Sequence, residues 1–256
     1  MVKRCADSGF DLAAGLVEVV PTAHYLMGGV VVDVETRTSL AGLYVAGEDA
    51  GGAHGSNRLG GNGVANSTVY GGIAGDVMAA DAQKMSALHD PDETILDEEL
   101  ARAITPFSAK PGNVHELRVR LMDAMWDDVG VMRDAAGLKL GIEKIASLKT
   151  DMENVGVSAD NLAFNLSWHD WLSLQSLIDT SEVIAKAGLS RENSRGAHFR
   201  EDFPDAGSLD DSYFTIATSG DKGIEVNREA VKFTIVKPGE SLLGADEAET
   251  LVEAAQ

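Results

Sequence analysis

The chain has 256 residues, 44% of them hydrophobic and 24% charged, a balance that supports a buried core and excludes disordered and fibrous classes. Lys and Arg number 21 against 41 Asp and Glu, and the formal charge of −20 repels phosphate backbones and anionic membrane surfaces, so nucleic-acid binding is disfavoured. The single cysteine, Cys5, excludes an intrachain disulfide and any zinc or iron–sulfur site built from the cysteines of this chain alone.

The N-terminus is basic at Lys3 and Arg4 but lacks an apolar run of signal-peptide length before Asp7 and Asp11, so a cytoplasmic protein is the default expectation. Next come two β-branched stretches, Val30 to Val34 and Gly42 to Ala46, which predict short buried strands around a polar turn at Glu35 to Thr38. A loop from Gly47 to Gly63 carries seven glycines in seventeen residues, and the Ala- and Gly-rich run Val64 to Ala80 predicts a closely packed helix. The longest uncharged stretch, Leu59 to Gly75, holds six glycines and is too polar to span a membrane.

Residues 84 to 112 form an acidic connector broken by Pro91, Pro106 and Pro111, with one short helix expected from Asp97 to Ile104. Beyond it the period becomes helical: Val114, Leu117, Leu121, Met125, Val129 and Met132, then Leu138, Ile142, Ile145, Leu148 and Met152. Gly137 and Gly141 are expected to mark the break between these two helices, because an interior glycine costs about 1 kcal/mol relative to alanine. A third helix is expected after Asp160, with Leu162, Leu166, Leu172, Leu177, Ile178 and Ile184 on its apolar face and Gly188 as its stop. Trp126, Trp168 and Trp171 read as bundle core or rim. Alternation returns in Tyr213 to Ile216 and Val231 to Val236, predicting a small sheet with a turn at Gly220 to Gly223. Two Asn-x-Ser/Thr sequences, at Asn66 and Asn165, carry no weight without a secretory signal.

Clustered glycines admit backbone amides to a ligand, and a helix starting beside them aims its positive end at an anion. No phosphate-loop lysine and no Gly-x-Gly-x-x-Gly occurs in this loop, so the common nucleotide fingerprints are absent from it. Its polar residues are more telling: Glu48, His54, Asn57, Arg58 and Asn62 fall within fifteen positions, with His24 just upstream beside Gly28 and Gly29. Arg58 can grip a carboxylate through two parallel charge-assisted bonds, and His24 can donate another, a pair that suits a dicarboxylate. On spacing alone, Arg58 equally suits an ion pair with an internal acid such as Glu48, and His24 a satisfied core position.

Three ordered strings, Pro21-Thr-Ala-His24-Tyr-Leu-Met-Gly28-Gly29, Gly42-Leu-Tyr-Val-Ala-Gly47-Glu48 and His54-Gly-Ser-Asn-Arg58-Leu-Gly-Gly-Asn62, closely resemble the flavoprotein subunits of succinate dehydrogenase and fumarate reductase, a superfamily that includes L-aspartate oxidase. Ser194-Arg-Gly-Ala-His198-Phe-Arg200-Glu-Asp-Phe-Pro204 resembles the segment after that family's helical domain, and Lys237-Pro-Gly-Glu-Ser241 its tail. The resemblance covers nearly the whole chain and begins in the family's interior. It implies an α+β fold: the C-terminal part of an FAD-binding α/β domain at 1–82 with the tail of a capping domain at about 1–20, a three-helix domain at 83–200, and a small β-containing segment at 201–256.

By the same resemblance, His24 and Arg58 bind substrate carboxylates beside the flavin, and Glu48 holds the ribityl hydroxyls of FAD. Gly28 and Gly29 line the cofactor, the amides of Gly63, Val64 and Ala65 face the pyrimidine edge of the flavin, and Asn62 caps or pins the loop. His54 and Asn57 shape the loop, with a substrate contact by His54 equally open. The family's N-terminal dinucleotide-binding unit and its proton-delivering arginine have no counterpart in residues 1–256, so no catalytic residue is assigned and the chain is expected to be inactive alone. Ser56 stands where the family usually has alanine, and Gly63 where it has serine or alanine.

The expected partners are a dicarboxylate, a companion chain carrying the N-terminal FAD-binding half, an iron–sulfur subunit and a second copy of the chain. Such partners would allow a place at the inner face of a membrane. The competing reading is a non-catalytic module whose acidic bundle, about 113–188, docks an electron-transfer partner. A hydrolase has little support, since neither Gly-x-Ser-x-Gly nor His-Glu-x-x-His occurs.

Overall fold

The computed structural model describes residues 2–17, 24–87, 90–158, 161–220 and 223–241. The chain divides into two compact units, one of residues 1–53 and 60–75, the other of residues 54–59 and 76–256.

The first unit begins with a six-residue helix, α1 (Val2–Asp7), and then runs as turns and single bridges. The strands expected at 30–34 and 42–46 do not form. The Asp33 carboxylate accepts the Glu35 and Arg37 amides at 2.8 and 2.9 Å, turning the chain early. What pairs instead is 36–38 with 43–45: Val45 N donates to Thr36 O at 3.0 Å and Thr38 N to Leu43 O at 3.1 Å. Val30, from the expected first strand, bridges in parallel to Ala50.

Helix α2 (Asn62–Lys84) is longer than the run Val64 to Ala80. Among its residues only Asn66 and Ala74 are buried. Ala50 and Ala74 are the buried hydrophobic residues described in this unit, whereas Val34 and Val64 are 88% and 77% exposed. A unit that hides so little apolar surface has a weak core of its own.

The second unit is built on three helices. Helix α3 (Glu93–Ile104) precedes them, starting four residues before the expected Asp97 because the Asp92 side chain caps it by accepting the Thr94 amide at 2.9 Å. A single 3-10 turn, Thr105–Phe107, follows. The bundle proper is α4 (Val114–Asp127), α5 (Ala135–Glu153) and α6 (Leu166–Ser190). Each starts on a side-chain cap: Asn113 accepts from Glu116 N, Asp134 from Gly137 N and Asn165 from Trp168 N, at 2.7 to 3.1 Å.

The break between α4 and α5 lies at 128–134, not at the glycines. Gly137 and Gly141 stand inside α5, where a Cβ on Gly141 would lie 2.7 Å from Val129 Cγ2. They are small because the connection crosses over them. Val129 is thus buried in the core from outside the helix that periodicity gave it, while Met132 is 63% exposed.

The buried stripe of α6 is Trp171, Leu174, Ile178, Ser181, Ala185 and Gly188. Its steps of 3, 4, 3, 4 and 3 make a seam of period 3.5. The expected face was displaced, because Leu166 and Leu177 are 77% and 42% exposed. The small residues Ser181, Ala185 and Gly188 are buried instead, Gly188 beside Leu138, whose Cδ2 would be 3.5 Å from a Cβ at 188. Leu117, Leu121, Leu138, Ile145, Leu148, Leu174 and Ile178 form the centre of the core, each fully buried side chain contributing about 1.5–3 kcal/mol. Trp171 belongs to this core and donates Nε1–H to Val155 O at 2.8 Å, whereas Trp126 is 64% exposed.

Strands β1 (Tyr213–Gly220) and β2 (Gly223–Ala230) pair antiparallel from Tyr213↔Ala230 to Gly220↔Gly223. The turn residues 221 and 222 lie outside the described residues. The short connection fixes this register and uses up the partner strand at Ala230, so the alternating run 231–236 is not a strand despite its pattern. Arg191, just after α6, ties the hairpin down: Nη1 donates to Tyr213 O at 3.1 Å, and the Arg191 and Arg228 guanidinium carbons each lie 4.7 Å from the Tyr213 ring centre.

Candidate functional site

In the first unit, the segment carrying His24 lies against the loop carrying Glu48. Val30 N donates to Asp49 O at 2.7 Å and Gly51 N to Val30 O at 2.9 Å. The contact demands glycine at 29, where a Cβ would lie 2.8 Å from Gly51 N. Glu48 adds a side-chain tie, its Oε1 accepting the Leu26 amide at 2.9 Å. The carboxylate therefore braces the main chain two residues after His24, and only one of its oxygens is needed for that bond. His24 itself is exposed, which removes the reading of it as a core histidine. Gly28 is open, with nothing within 4 Å of a Cβ placed there.

The amide side chain of Asn66 anchors the start of the loop to α2, donating Nδ2–H to Gly47 O at 3.0 Å while 6% exposed. Sequence reasoning missed this residue, seeing only a chance sequon. The first turn of α2 presents Asn62, Val64 and Ala65 on the surface and Gly63 half-buried, with no acidic residue in that turn. Its leading amides have no intrahelical acceptors, so a hydrogen-bonding, electron-rich ligand edge is complementary to this end.

Arg58 belongs to the second unit, with His54 and the rest of 54–59. It is half-buried, and Nη1 donates to Leu59 O at 3.2 Å. In the same unit Ala197 N donates to Ser56 O at 3.0 Å, joining the Arg58 loop to the Ser194–Pro204 string.

That string is a dense cationic junction. Arg200, 1% exposed, forks onto Asp202 with Nε and Nη2 at 2.7 Å each and directs Nη1 to the Gly188, Leu189 and Arg191 carbonyls at 3.0 to 3.1 Å, closing the C-terminus of α6. The guanidinium beside it holds the Asp202 carboxyl down to about 2. Arg133 donates Nε–H to Val129 O and Gly130 O and reaches His198 Nδ1 with Nη1 at 3.0 Å. An arginine only donates, so Nδ1 accepts and the imidazole proton sits on Nε2, 3.3 Å from Arg191 O. Burial, joined by the Arg133, Arg191 and Arg200 charges, pushes the His198 imidazolium below its ordinary range. His198 is thus a neutral structural acceptor. The motif string pointed to this junction; its buried arginines carry no periodic signal.

The residues of the first unit fit a flavin on three grounds. A carboxylate stands on a fixed loop, the open Gly28 lies on the segment it braces, and the helix end is free of acidic side chains. Among the described residues no cluster of His, Cys, Asp or Glu suits a metal ion.

Comparison with known proteins agrees. Residues 8–64 match an FAD-binding domain, so a flavoprotein is the class these matches define, and residues 118–242 match the C-terminal domain of the fumarate reductase flavoprotein. The chain belongs to the succinate dehydrogenase/fumarate reductase flavoprotein family. It is 36% identical over 208 residues to one of the subunits of the CoM/CoB fumarate reductase of Methanothermobacter marburgensis, an alignment covering 80% of this chain and 37% of that one. With the L-aspartate oxidase of Yersinia pestis it shares 34% identity over 207 residues, 79% of this chain and 36% of the other. The structure of Mycobacterium smegmatis Sdh1 in complex with UQ1 superposes with a TM-score of 0.81 at 31% identity, covering 98% of this chain and 42% of that one. The chain spans about two fifths of the length of these relatives.

Proposed function

We propose that the chain is the C-terminal part of an FAD-dependent oxidoreductase acting on the CH–CH unit of a dicarboxylate. The observation that carries this reading is that residues 8–64, matched as an FAD-binding domain, contain His24, Glu48, Arg58 and the first three residues of α2. When bound, FAD supplies hydride exchange at N5. The chain's residues do the rest: Glu48 holds the ribityl hydroxyls with the oxygen not spent on Leu26, and Gly28 and Gly29 let the ligand approach. The amides of Gly63, Val64 and Ala65 receive the pyrimidine edge, with Asn62 at the turn into the helix. His24 and Arg58 each bind a substrate carboxylate, Arg58 through its planar fork. The proton for the second carbon comes from outside residues 1–256.

On this reading residues 1–82 complete a flavin domain, 83–200 form the helical domain and 201–256 a β-containing tail. The dinucleotide-binding half, on the same polypeptide or on a companion one, covers the exposed apolar residues of the first unit, and an iron–sulfur subunit is the electron partner. No described helix is long and apolar enough to cross a membrane, so membrane association would come through partners.

The test is complementation. The purified chain, mixed with FAD and reduced viologen, is expected to reduce no fumarate, and co-expression with the dinucleotide-binding half of a family member is expected to restore a flavin spectrum that malonate perturbs. Turnover by the chain alone, or a co-expressed complex without bound flavin, would overturn the proposal.

A further inference from the structure

Arg58 can serve as a two-pronged carboxylate ligand only if its main chain is fixed, because a planar fork misaligned by an ångström loses one prong. A tie to that main chain comes from far along the sequence, through Ser56.

We propose that the Gly196–Ala197 turn is the positioning element for Arg58, acting through the main chain of Ser56. The Ala197 amide donates to Ser56 O at 3.0 Å, two residues before Arg58. Gly196 adopts φ +56, and a Cβ there would lie 2.6 Å from the Ser56 carbonyl carbon and 2.7 Å from Ser56 Oγ. Glycine is required at 196 twice over, for its backbone conformation and for the seat of the loop.

The turn itself is held from three directions. Arg195 N donates to His198 O at 2.9 Å and His198 N to Arg195 O at 3.0 Å, closing the turn on itself. The Arg195 guanidinium donates to Ala206 O, Ser208 O and Ser212 Oγ at 2.6 to 2.9 Å, fastening it to the approach to β1. Through His198 Nδ1 it rests on Arg133, which is anchored at the end of α4. The helical unit thus sets the position of a residue whose sequence context is the flavin domain, which gives the Ser-Arg-Gly-Ala-His string a role without substrate contact. The inference rests on the proposed role of Arg58.

Two measurements test it. In the full chain, hydrogen exchange should show the Ala197 amide protected, and Gly196→Ala should speed exchange across 54–59 by about tenfold while α4, α5 and α6 stay unchanged. In the flavin-loaded complex with its companion half, Gly196→Ala should raise the fumarate KM by about tenfold with kcat changed less than about threefold, the signature of weakened ground-state binding. If Gly196→Ala fails to fold, Arg195→Gln releases the turn without adding a Cβ and should move both readouts in the same direction. An Ala197 amide exchanging at the free-chain rate, or a KM that rises with Arg58→Gln but not with the turn variants, overturns the positioning role. If Arg58→Gln itself leaves KM unchanged, the substrate reading has failed and the inference falls with it.

Discussion

Replacing Arg200 by glutamine tests how the helical unit is closed. The guanidinium is 1% exposed and donates to three carbonyls at the end of α6 as well as to Asp202. Glutamine keeps two donors on a shorter arm, so most of these acceptors lose their partner without gaining water. A hydrogen bond to a charged group is worth about 1.5–3 kcal/mol, a favourable helix-end charge up to about 2, and such terms do not add in full. A net loss of about 3–5 kcal/mol follows, taken from a total stability of about 5–15. At about 2–4 °C per kcal/mol for a chain of this size, the melting temperature of the helical unit should fall by about 6–20 °C. The assay is thermal unfolding followed by near-ultraviolet circular dichroism of the tryptophans, with hydrogen exchange of residues 186–191 as the local readout. Arg200→Lys keeps the charge but not the fork and should lose less. An Arg200→Gln protein melting within a degree or two of the native chain, with α6 still protected, would refute the reasoning.

Two further outcomes follow from the same unit. His198 has a folded-state affinity for protons below its ordinary value of 6.5, so the stability it contributes is fully present above about pH 6.5 and is lost as pH falls through the lowered value. Urea midpoints measured between about pH 8 and pH 5 should decline for the native chain and decline less for His198→Gln, and equal slopes would contradict the neutral-acceptor assignment. Trp171→Ala, removing a core ring and its bond to Val155, should cost about 3–5 kcal/mol, whereas Trp126→Ala on the surface should stay within about 0.5 kcal/mol by urea denaturation.

The helices of the second unit were legible because large apolar residues recur at helical steps; their starts were not, because the capping side chains of Asp92, Asp134 and Asn165 carry no periodic signal. What periodicity could not show is where a face is lined by small residues. Ser181 and Ala185 read as polar or neutral in α6 and Gly188 as its stop, yet the helix runs on to Ser190 and all three are buried within it, while the larger Leu177 is 42% exposed. Close approach selects for low volume, and hydropathy is blind to it. The same blindness misplaced the α4–α5 break, since Gly137 and Gly141 look like helix breakers and are instead the surface over which the 128–134 connection passes. The second β-strand was misread for a different reason: alternation reports suitability for a sheet, but pairing ends where the partner ends, and the Gly220↔Gly223 register places that end at Ala230.

The residues proposed for the site were legible as types and much less as supports. His24, Glu48 and Arg58 stood out by charge amid glycines and by the strings around them, although on spacing alone Arg58 suited an internal ion pair and His24 a core position. The groups that hold them had no such signature. Asn66 and Asn165 matched the same surface sequon, yet both are buried, one fastening Gly47 to α2 and the other capping α6. Glu48 reads as a cofactor ligand, but the geometry gives one of its oxygens to the Leu26 amide, so the residue that would hold the flavin also fixes the segment that presents His24. A brace of this kind acts through backbone amides and carbonyls, which every residue possesses, and only the folded path decides which are close enough to be used. This asymmetry explains how Gly196 could matter to Arg58 through the main chain: the absence of a side chain leaves room for another residue's carbonyl, and that room exists only once the two distant stretches of chain have met.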